Sequence, residues 1–238
     1  MESFPGRRAL EIEFRGHGRS SQVAPPIPWP HFGRDVLTVA RHFDLRGVIG
    51  VGHSMGGHSL VAAAIESPEI FAGLVLVDPV IYPREFYSAP PPDASYIRRR
   101  RNRFASPEEM VERFRGRLPF STWHPEALRN YCEYGLLPEG DSFVLACAPE
   151  VEAAIYERSN AAENDLYDGM PRVTVPVTIL RAGTTPTSTF DINASPTAPG
   201  VAACFPRGRD VFLPGHNHYI PMEAPELVEA EMRSLLVE

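Results

Sequence analysis

The stretch "VIGVGHSMGGHSLVAAAI" (residues 48–65) restricts the fold more than any other part of the chain. It opens with an apolar, β-branched run, which is typical of a parallel strand buried on both faces. Apolar and small residues follow at once and predict a helix. Ser54 lies at the junction, with Gly52 and Gly56 two residues to either side. This G-x-S-x-G spacing predicts a nucleophile on a strained strand-to-helix turn, where side chains at both flanking positions would collide with the strand and the helix.

Other strand-like runs alternate with helical patterns along the chain. Helical spacing of apolar residues predicts a helix over 31–45 and a closing amphipathic helix over 223–238. Alternating strands and helices indicate an α/β fold with a mostly parallel sheet of about five strands and flanking helices. The runs that predict the other four strands are "RALEIEF" (8–14), "AGLVLVDPVIY" (72–82), "VPVTILRAG" (175–183) and "GRDVFLPG" (208–215).

The pattern changes between residues 84 and 170. Strand-like runs largely vanish there, and helical segments open with prolines near their first turn. Ser106 with Glu109 three residues later is a capping box, a helix-start signal. We interpret 84–170 as a helical lid, or cap, inserted into a core made of 1–83 and 171–238.

Composition excludes several classes of protein. The 238 residues fit one large domain with an insertion, and the net charge of −7 argues against nucleic acid or an anionic membrane as the main partner. A long uncharged apolar stretch and an apolar leader are both missing from the sequence, so we expect neither a membrane span nor a signal peptide. The three cysteines are scattered without metal-ligand spacing, which favours reduced thiols, a cytoplasmic location and no metal site.

Four motifs occur in order along the chain and carry a family resemblance. They are "RGHGRS" (15–20), "GHSMGG" (52–57), "LVLVDP" (74–79) and "LPGHNHYIPMEAPELV" (213–228). Together they resemble the lid-bearing α/β-hydrolases of the esterase and lipase type. The resemblance implies that Ser54 is the nucleophile and that neither a metal nor an organic cofactor is needed. Related dehalogenases and epoxide hydrolases carry an aspartate at this turn, so Ser54 argues against both.

The catalytic base is expected in the last of these motifs. In the family the histidine directly precedes an aromatic residue and "IP", which selects His218 in "HYIP". His216 in the same loop stays an alternative.

The catalytic acid has two candidates. The family commonly carries an aspartate shortly after the "VPVTILRAG" strand, but Thr185 stands at that place. Asp78 ends the "LVLVD" run, a position that some hydrolases of the superfamily use, and Asp191 follows later in the loop. We predict Asp78 and keep Asp191 as the alternative.

Oxyanion stabilisation is predicted from two places. The Met55 N–H at the start of the helix is the first donor. In the family a second donor comes from a loop that follows a strand ahead of the "RGHGRS" region, and those usual N-terminal strands have no counterpart here. Either "ALEIEF" (9–14) pairs directly with "GVIGV" (47–51), or a second chain fills the place, or the sequence is a truncated product. We predict the direct pairing, which would bring the "RGHG" turn and His17 beside Ser54 as a replacement donor.

Substrate contacts are expected from the strand-to-helix turn at Ser54, called the elbow below, and from the lid. His53 next to the serine, Tyr82 and Trp123 are the predicted substrate-binding residues. The basic run "YIRRRRNRF" (96–104) is either a solvated helix face or a guide for anionic substrates.

These expectations converge on an enzyme that cleaves small carboxylic esters by a Ser-His-Asp acyl-enzyme mechanism. A lactonase, amidase or carbon–carbon bond hydrolase built from the same parts is one alternative. A catalytically impaired protein of the same fold is another. The expected partner is a small-molecule ester, and a homodimer stays open.

Overall fold

A computed structural model describes residues 4, 6–183 and 194–237 of the chain. Within these residues, backbone hydrogen bonds between strands build a parallel sheet and a smaller antiparallel sheet. The strands are β1 (Val48–His53), β2 (Phe71–Val77), β3 (Arg103–Phe104), β4 (Leu136–Glu139), β5 (Ser142–Leu145), β6 (Val177–Ala182) and β7 (Gly208–Leu213). The parallel sheet has the order β1-β2-β6-β7, with four strands where five were predicted.

Helices cover both faces of the parallel sheet. Those outside residues 84–170 are α1 (Pro30–His42), α2 (Met55–Glu66), α7 (Ile220–Glu223) and α8 (Pro225–Val237). Helix α2 packs on β1 and β2 with α1 behind it, and α8 packs on the same two strands. Among the described residues, every helix is too short or too polar to cross a membrane.

Strand β2 shows why these runs are continuously apolar. Leu74 and Leu76 point into the core formed with α1 and α2, whereas Val75 and Val77 point into the core formed with α8. All four side chains are buried. Successive side chains of a strand alternate between faces, so a strand covered on both sides needs apolar residues at every position.

The predicted strand over residues 8–14 is wrong. This segment has no regular secondary structure, and β1 pairs with β2 alone among the described residues. "ALEIEF" alternates apolar residues with Glu11 and Glu13, a pattern that suits a strand with one face in water. Instead Leu10 is exposed, and Phe14 anchors the segment by an edge-to-face contact with Phe32 of α1.

The segment over residues 84–170, called the 84–170 segment below, contains strands as well as helices. Its helices are α3 (Ser95–Arg98), α4 (Pro107–Phe114), α5 (Pro125–Tyr134) and α6 (Pro149–Glu157). The antiparallel sheet β3-β5-β4 was not predicted, and its β4–β5 hairpin turns at Gly140 with φ +60°. Ser106 caps α4 as predicted, because its side chain accepts a hydrogen bond from the Glu109 N–H.

Candidate active site

The turn between β1 and α2 holds Ser54 in a conformation that L-residues rarely adopt, with φ 56° and ψ −123°. Close packing of β1 on α2 requires two glycines. A Cβ on Gly52 would lie 2.6 Å from the Gly56 carbonyl group, and one on Gly57 would lie 2.8 Å from Pro79 Cβ. Gly56 was expected to be sterically required as well, but a Cβ there meets nothing within 4 Å. The crowded positions are therefore Gly52 and Gly57, one residue beyond the motif.

Three side chains from separate parts of the sequence meet at this turn. His218 Nε2 lies 3.0 Å from Ser54 Oγ, and His218 Nδ1 lies 2.7 Å from Asp78 Oδ2. Ser54 follows β1, Asp78 follows β2, and His218 lies in the loop after β7. Because parallel strands all present their carboxyl ends at one edge of the sheet, these loops converge. The structure therefore joins the residues that the sequence predicted as nucleophile, base and acid.

The Asp78 carboxylate is fully buried and held on both oxygens. Oδ1 accepts hydrogen bonds from the Ala182 N–H (2.9 Å) and from Ser195 Oγ (2.6 Å), which leaves Oδ2 for His218. Ala182 ends β6, the strand after which the family resemblance placed the acid. Sequence reasoning missed Ser195, since no motif marks a lone serine that far from the other groups. Thr185 and Asp191 lie outside the described residues.

His53, predicted to bind substrate, is not among the residues that line the cavity at Ser54. Its Nε2–H donates to the His218 carbonyl oxygen at 2.8 Å, and the two rings lie 4.7 Å apart. Burial and the nearby His218 lower the pKa of His53 to about 3. The ring is therefore neutral at ordinary pH and ties the histidine loop to the elbow.

His216, the alternative base, faces another group. Its Nδ1 lies 3.2 Å from Glu223 Oε2, and the same carboxylate oxygen accepts from the Asn217 N–H. The structure places His218, and not His216, against Ser54.

The "RGHG" turn reaches the cavity at Ser54 although the strand before it is absent. Arg15 fixes the turn to α1 by hydrogen bonds to the Asp35 carboxylate. The N–H groups of the next three residues all donate to backbone carbonyl groups: Gly16 to Ser21, His17 to Phe14 and Gly18 to Ala146. A backbone donor from this turn to an oxyanion, as predicted for His17, therefore conflicts with the structure.

The Met55 N–H remains as a donor toward the nucleophile. Met55 is the first residue of α2, and the first N–H groups of a helix have no partner within it. The positive end of the helix dipole lies at the same place, which favours negative charge. This group is suited to a developing oxyanion next to Ser54.

A cavity of about 400 Å³ opens in front of Ser54. Its walls come from the "RGHG" turn, from α2 and from the 84–170 segment. The predicted contact Tyr82 lines it, and the Tyr82 hydroxyl lies 3.2 Å from Ser159 Oγ. Trp123 was also predicted to line it and does not. It is buried in the core of the 84–170 segment, where its ring packs against Phe120 and Tyr131, because a large apolar ring is stabilised by burial among other apolar side chains.

The His17 side chain is part of the same cavity wall. Its Nδ1 lies 3.1 Å from the Arg15 carbonyl oxygen, which can only accept, so Nδ1 carries the proton. Burial lowers the pKa of His17, and in the neutral ring Nε2 is an acceptor. The side chain is thus suited to accept a hydrogen bond and not to stabilise an oxyanion.

Comparison with known proteins agrees with this geometry. The model of the alpha/beta hydrolase family matches residues 3–231, nearly the whole chain. This chain belongs to the alpha/beta hydrolase family. The strand-to-helix turn at Ser54 and the parallel sheet are the features of that fold seen in the structure.

Among curated members of the family, the chain resembles an abhydrolase domain-containing protein, ACTT2, of Alternaria alternata. The two are 37% identical over 102 residues, which is 43% of this chain and 38% of that protein. The match therefore spans well under half the length of the curated relative.

Solved structures of alpha/beta hydrolases cover more of the chain. The crystal structure of E-2-(acetamidomethylene)succinate hydrolase superposes with a TM-score of 0.72 at 23% identity, covering 94% of this chain and 79% of that one. An enol-lactonase from Burkholderia xenovorans LB400 superposes with a TM-score of 0.62 at 20% identity, covering 94% and 78%. At these identities the likeness is one of fold.

Proposed function

We propose that this alpha/beta hydrolase cleaves carboxylic esters through a covalent acyl-enzyme. The observation that carries the proposal is the continuous hydrogen-bonded series from Asp78 through His218 to Ser54, which ends at a cavity. A serine hydroxyl is a weak nucleophile unless a base takes its proton, and a base needs a fixed orientation. The series provides both.

Acylation begins when Ser54 Oγ attacks the ester carbonyl carbon and His218 Nε2 takes the serine proton. The Met55 N–H stabilises the oxyanion, while Asp78 stabilises the imidazolium and keeps the proton on Nδ1. The intermediate collapses as the carbon–oxygen bond to the alcohol breaks. His218 returns its proton to the leaving alcohol oxygen, and an acyl-Ser54 ester remains.

Deacylation repeats these steps with water. His218 Nε2 takes a proton from water as the water oxygen attacks the acyl carbon, and then gives the proton to Ser54 Oγ as the acid leaves. One N–H donor is identified for the oxyanion among the described residues. The loss of one such donor costs about 10²–10³-fold in comparable sites, so we expect a slow esterase.

A fluorophosphonate probe tests this proposal directly. We expect the wild-type protein to be labelled at Ser54 and the Ser54→Ala variant to stay unlabelled. Unlabelled wild-type protein should also hydrolyse p-nitrophenyl esters. A panel of these esters with short and long acyl chains measures which acyl-chain length the enzyme prefers.

Two results would contradict the proposal. A folded wild-type protein that takes no label supports the impaired alternative. If the probe labels the protein, but the protein hydrolyses lactones or amides and no ester, the enzyme is a lactonase or an amidase.

A further inference from the structure

The basic run of the 84–170 segment is not uniform. Three of its arginines form ion pairs with exposed or half-exposed glutamates, namely Arg98 with Glu150 and Glu157, Arg101 with Glu109, and Arg103 with Glu139. These pairs fit a solvated face. Arg100 differs, because it lines the cavity that contains Ser54.

Arg100 uses only one corner of its guanidinium group on its ion-pair partner. Nη1 donates a hydrogen bond to Glu152 Oε1 at 3.0 Å and lies 2.7 Å from Oε2, which is buried and has no hydrogen-bond partner within the described part of the chain. The buried Nε–H has no hydrogen-bond partner among the described residues. An arginine binds a carboxylate most specifically in the two-pronged geometry, in which Nε–H and Nη2–H donate to two oxygens. Here Glu152 does not occupy that edge.

A buried N–H donor without an acceptor is costly, and a ligand recovers this cost when binding turns the Nε edge of Arg100, which is shielded from solvent in the structure, toward the cavity. The surroundings strengthen such a contact. Tyr131, Tyr156 and Leu145 line the same cavity as Arg100, and the Arg100 side chain is two-thirds buried. Ionic hydrogen bonds are stronger in such surroundings than in water.

We infer that Arg100 binds a carboxylate group of the substrate, remote from the ester carbonyl that Ser54 attacks. The proposal rests on the function proposed above and narrows it to esters that carry a second, ionised carboxyl group, such as half-esters of dicarboxylic acids. Two acidic groups on the cavity wall oppose a second anion, Glu152 and Glu13. Glu152 is compensated by Arg100, and Glu13 accepts a hydrogen bond from the Arg19 N–H.

Matched esters test the inference. The p-nitrophenyl half-esters of adipic and pimelic acid are compared with isosteres in which an isopropyl group replaces the carboxylate. The spontaneous rate of each ester is subtracted. We expect a kcat/KM ratio, acid over isostere, of about tenfold or more, the size of a charge-assisted hydrogen bond. A ratio near one in the wild type overturns the inference.

Variants assign the preference to one residue. Arg100→Gln is expected to bring the ratio close to one. Arg98→Gln is the matched control, since its side chain is 34% exposed against 32% for Arg100 but pairs at the surface, and it should leave the ratio unchanged. Glu152→Gln removes the competing carboxylate and should raise the ratio. A purely structural ion pair predicts no change in the ratio for either partner's substitution.

Arg100→Lys covers the case in which Arg100→Gln does not fold. Lysine can still pair with Glu152 but has no two-pronged edge, so most of the preference should be lost. Full preference in Arg100→Lys overturns the proposed contact.

Binding of adipate separates this inference from the proposed function. Calorimetry on the Ser54→Ala protein should detect binding that weakens about tenfold or more on adding Arg100→Gln and not on adding Arg98→Gln. Arg100-dependent binding without hydrolysis of any ester would support the anion site while the proposed function fails. Hydrolysis of both esters at equal rates, without adipate binding, would leave the function standing and overturn the site.

Discussion

The cavity of this hydrolase has two walls of different construction. The sheet wall presents Ser54 to the cavity, with His218 and Asp78 hydrogen-bonded in series behind it, and it rests on strand ends. Asp78 alone accepts three hydrogen bonds. The segment wall, contributed by the 84–170 segment, includes Arg100, whose buried Nε–H is unpaired among the described residues.

The difference between the two walls separates the precise placement of the catalytic groups from the selection of the substrate. Chemical steps depend on sub-ångström placement, and the sheet wall obtains this from backbone groups that cannot move independently of the sheet. Recognition of a substrate needs groups that are still available for binding. In the segment wall this group is the Nε–H of Arg100, which takes no part in the hydrogen bonds of the sheet.

The largest effect is expected from breaking the sheet wall at its centre. Ser54→Ala and His218→Ala should each lower kcat/KM for p-nitrophenyl esters by about 10⁴-fold or more, since the members of such a series act as a unit. His216→Ala is the control and should retain most activity, because His216 faces Glu223. An inactive His216→Ala beside an active His218→Ala would reverse the assignment of the base.

The acid gives the next largest effect. Asp78→Asn should lower kcat by roughly 10⁴-fold, the cost of leaving the imidazole in the wrong tautomer in serine proteases. Ser195→Ala removes one of two donors to Oδ1 and should cost far less, because the Ala182 N–H remains. If Asp191→Asn is the more damaging carboxylate substitution, the acid is Asp191.

A smaller effect is expected where His53 ties the histidine loop to the elbow. His53→Leu removes the N–H that holds the His218 carbonyl group and should lower kcat about tenfold, with KM little changed, because the imidazole loses its alignment. His53→Gln keeps a side-chain N–H and should restore part of the rate. His58→Leu is the matched control. His58 is also buried, in α2, but its ring contacts the Asn164 carbonyl group and not the His218 loop. Equal losses of kcat in both leucine variants would mean that His53 acts only on stability.

The smallest effect concerns stability against pH. Burial lowers the pKa of His53 to about 3 and that of His58 to about 4, from an ordinary value of 6.5. Below about pH 6.5 the unfolded chain binds protons at these histidines and the folded chain does not. Stability is therefore full above that pH and falls as the pH decreases, by at most about 1.4 kcal/mol per pH unit for each histidine.

Urea denaturation between about pH 7 and pH 5 measures this slope. His58→Gln should reduce it by removing one of the histidines whose pKa burial lowers, a set that also includes His17. A free energy of unfolding that does not change over this range would show that the two rings do not stay neutral in the folded protein.

Local pattern was sufficient for the elbow and the buried strands. A strand covered on both faces must be apolar throughout, so β1, β2 and β6 are visible in the sequence. The alternation in "ALEIEF" is as regular as that of a real strand, yet the segment finds no partner in the described structure. Strand formation depends on a neighbour, and propensity alone does not supply one.

The sequence by itself determined the class of fold, the position of Ser54 on a strand-to-helix turn, and His218 and Asp78 as the favoured base and acid. The fold class and the turn at Ser54 follow from short-range rules on periodicity and crowding, whereas the choice of His218 and Asp78 follows from the family resemblance that the motifs imply. Only the tertiary structure decided that Ser195 supports Asp78 and that His53 holds the His218 loop. It also decided that Trp123 packs inside the 84–170 segment, and that Arg100 is the one ion-paired arginine among the described residues that lines the cavity. Each of these is a contact between residues far apart in the chain, and such contacts exist only once the sheet and the 84–170 segment have packed together.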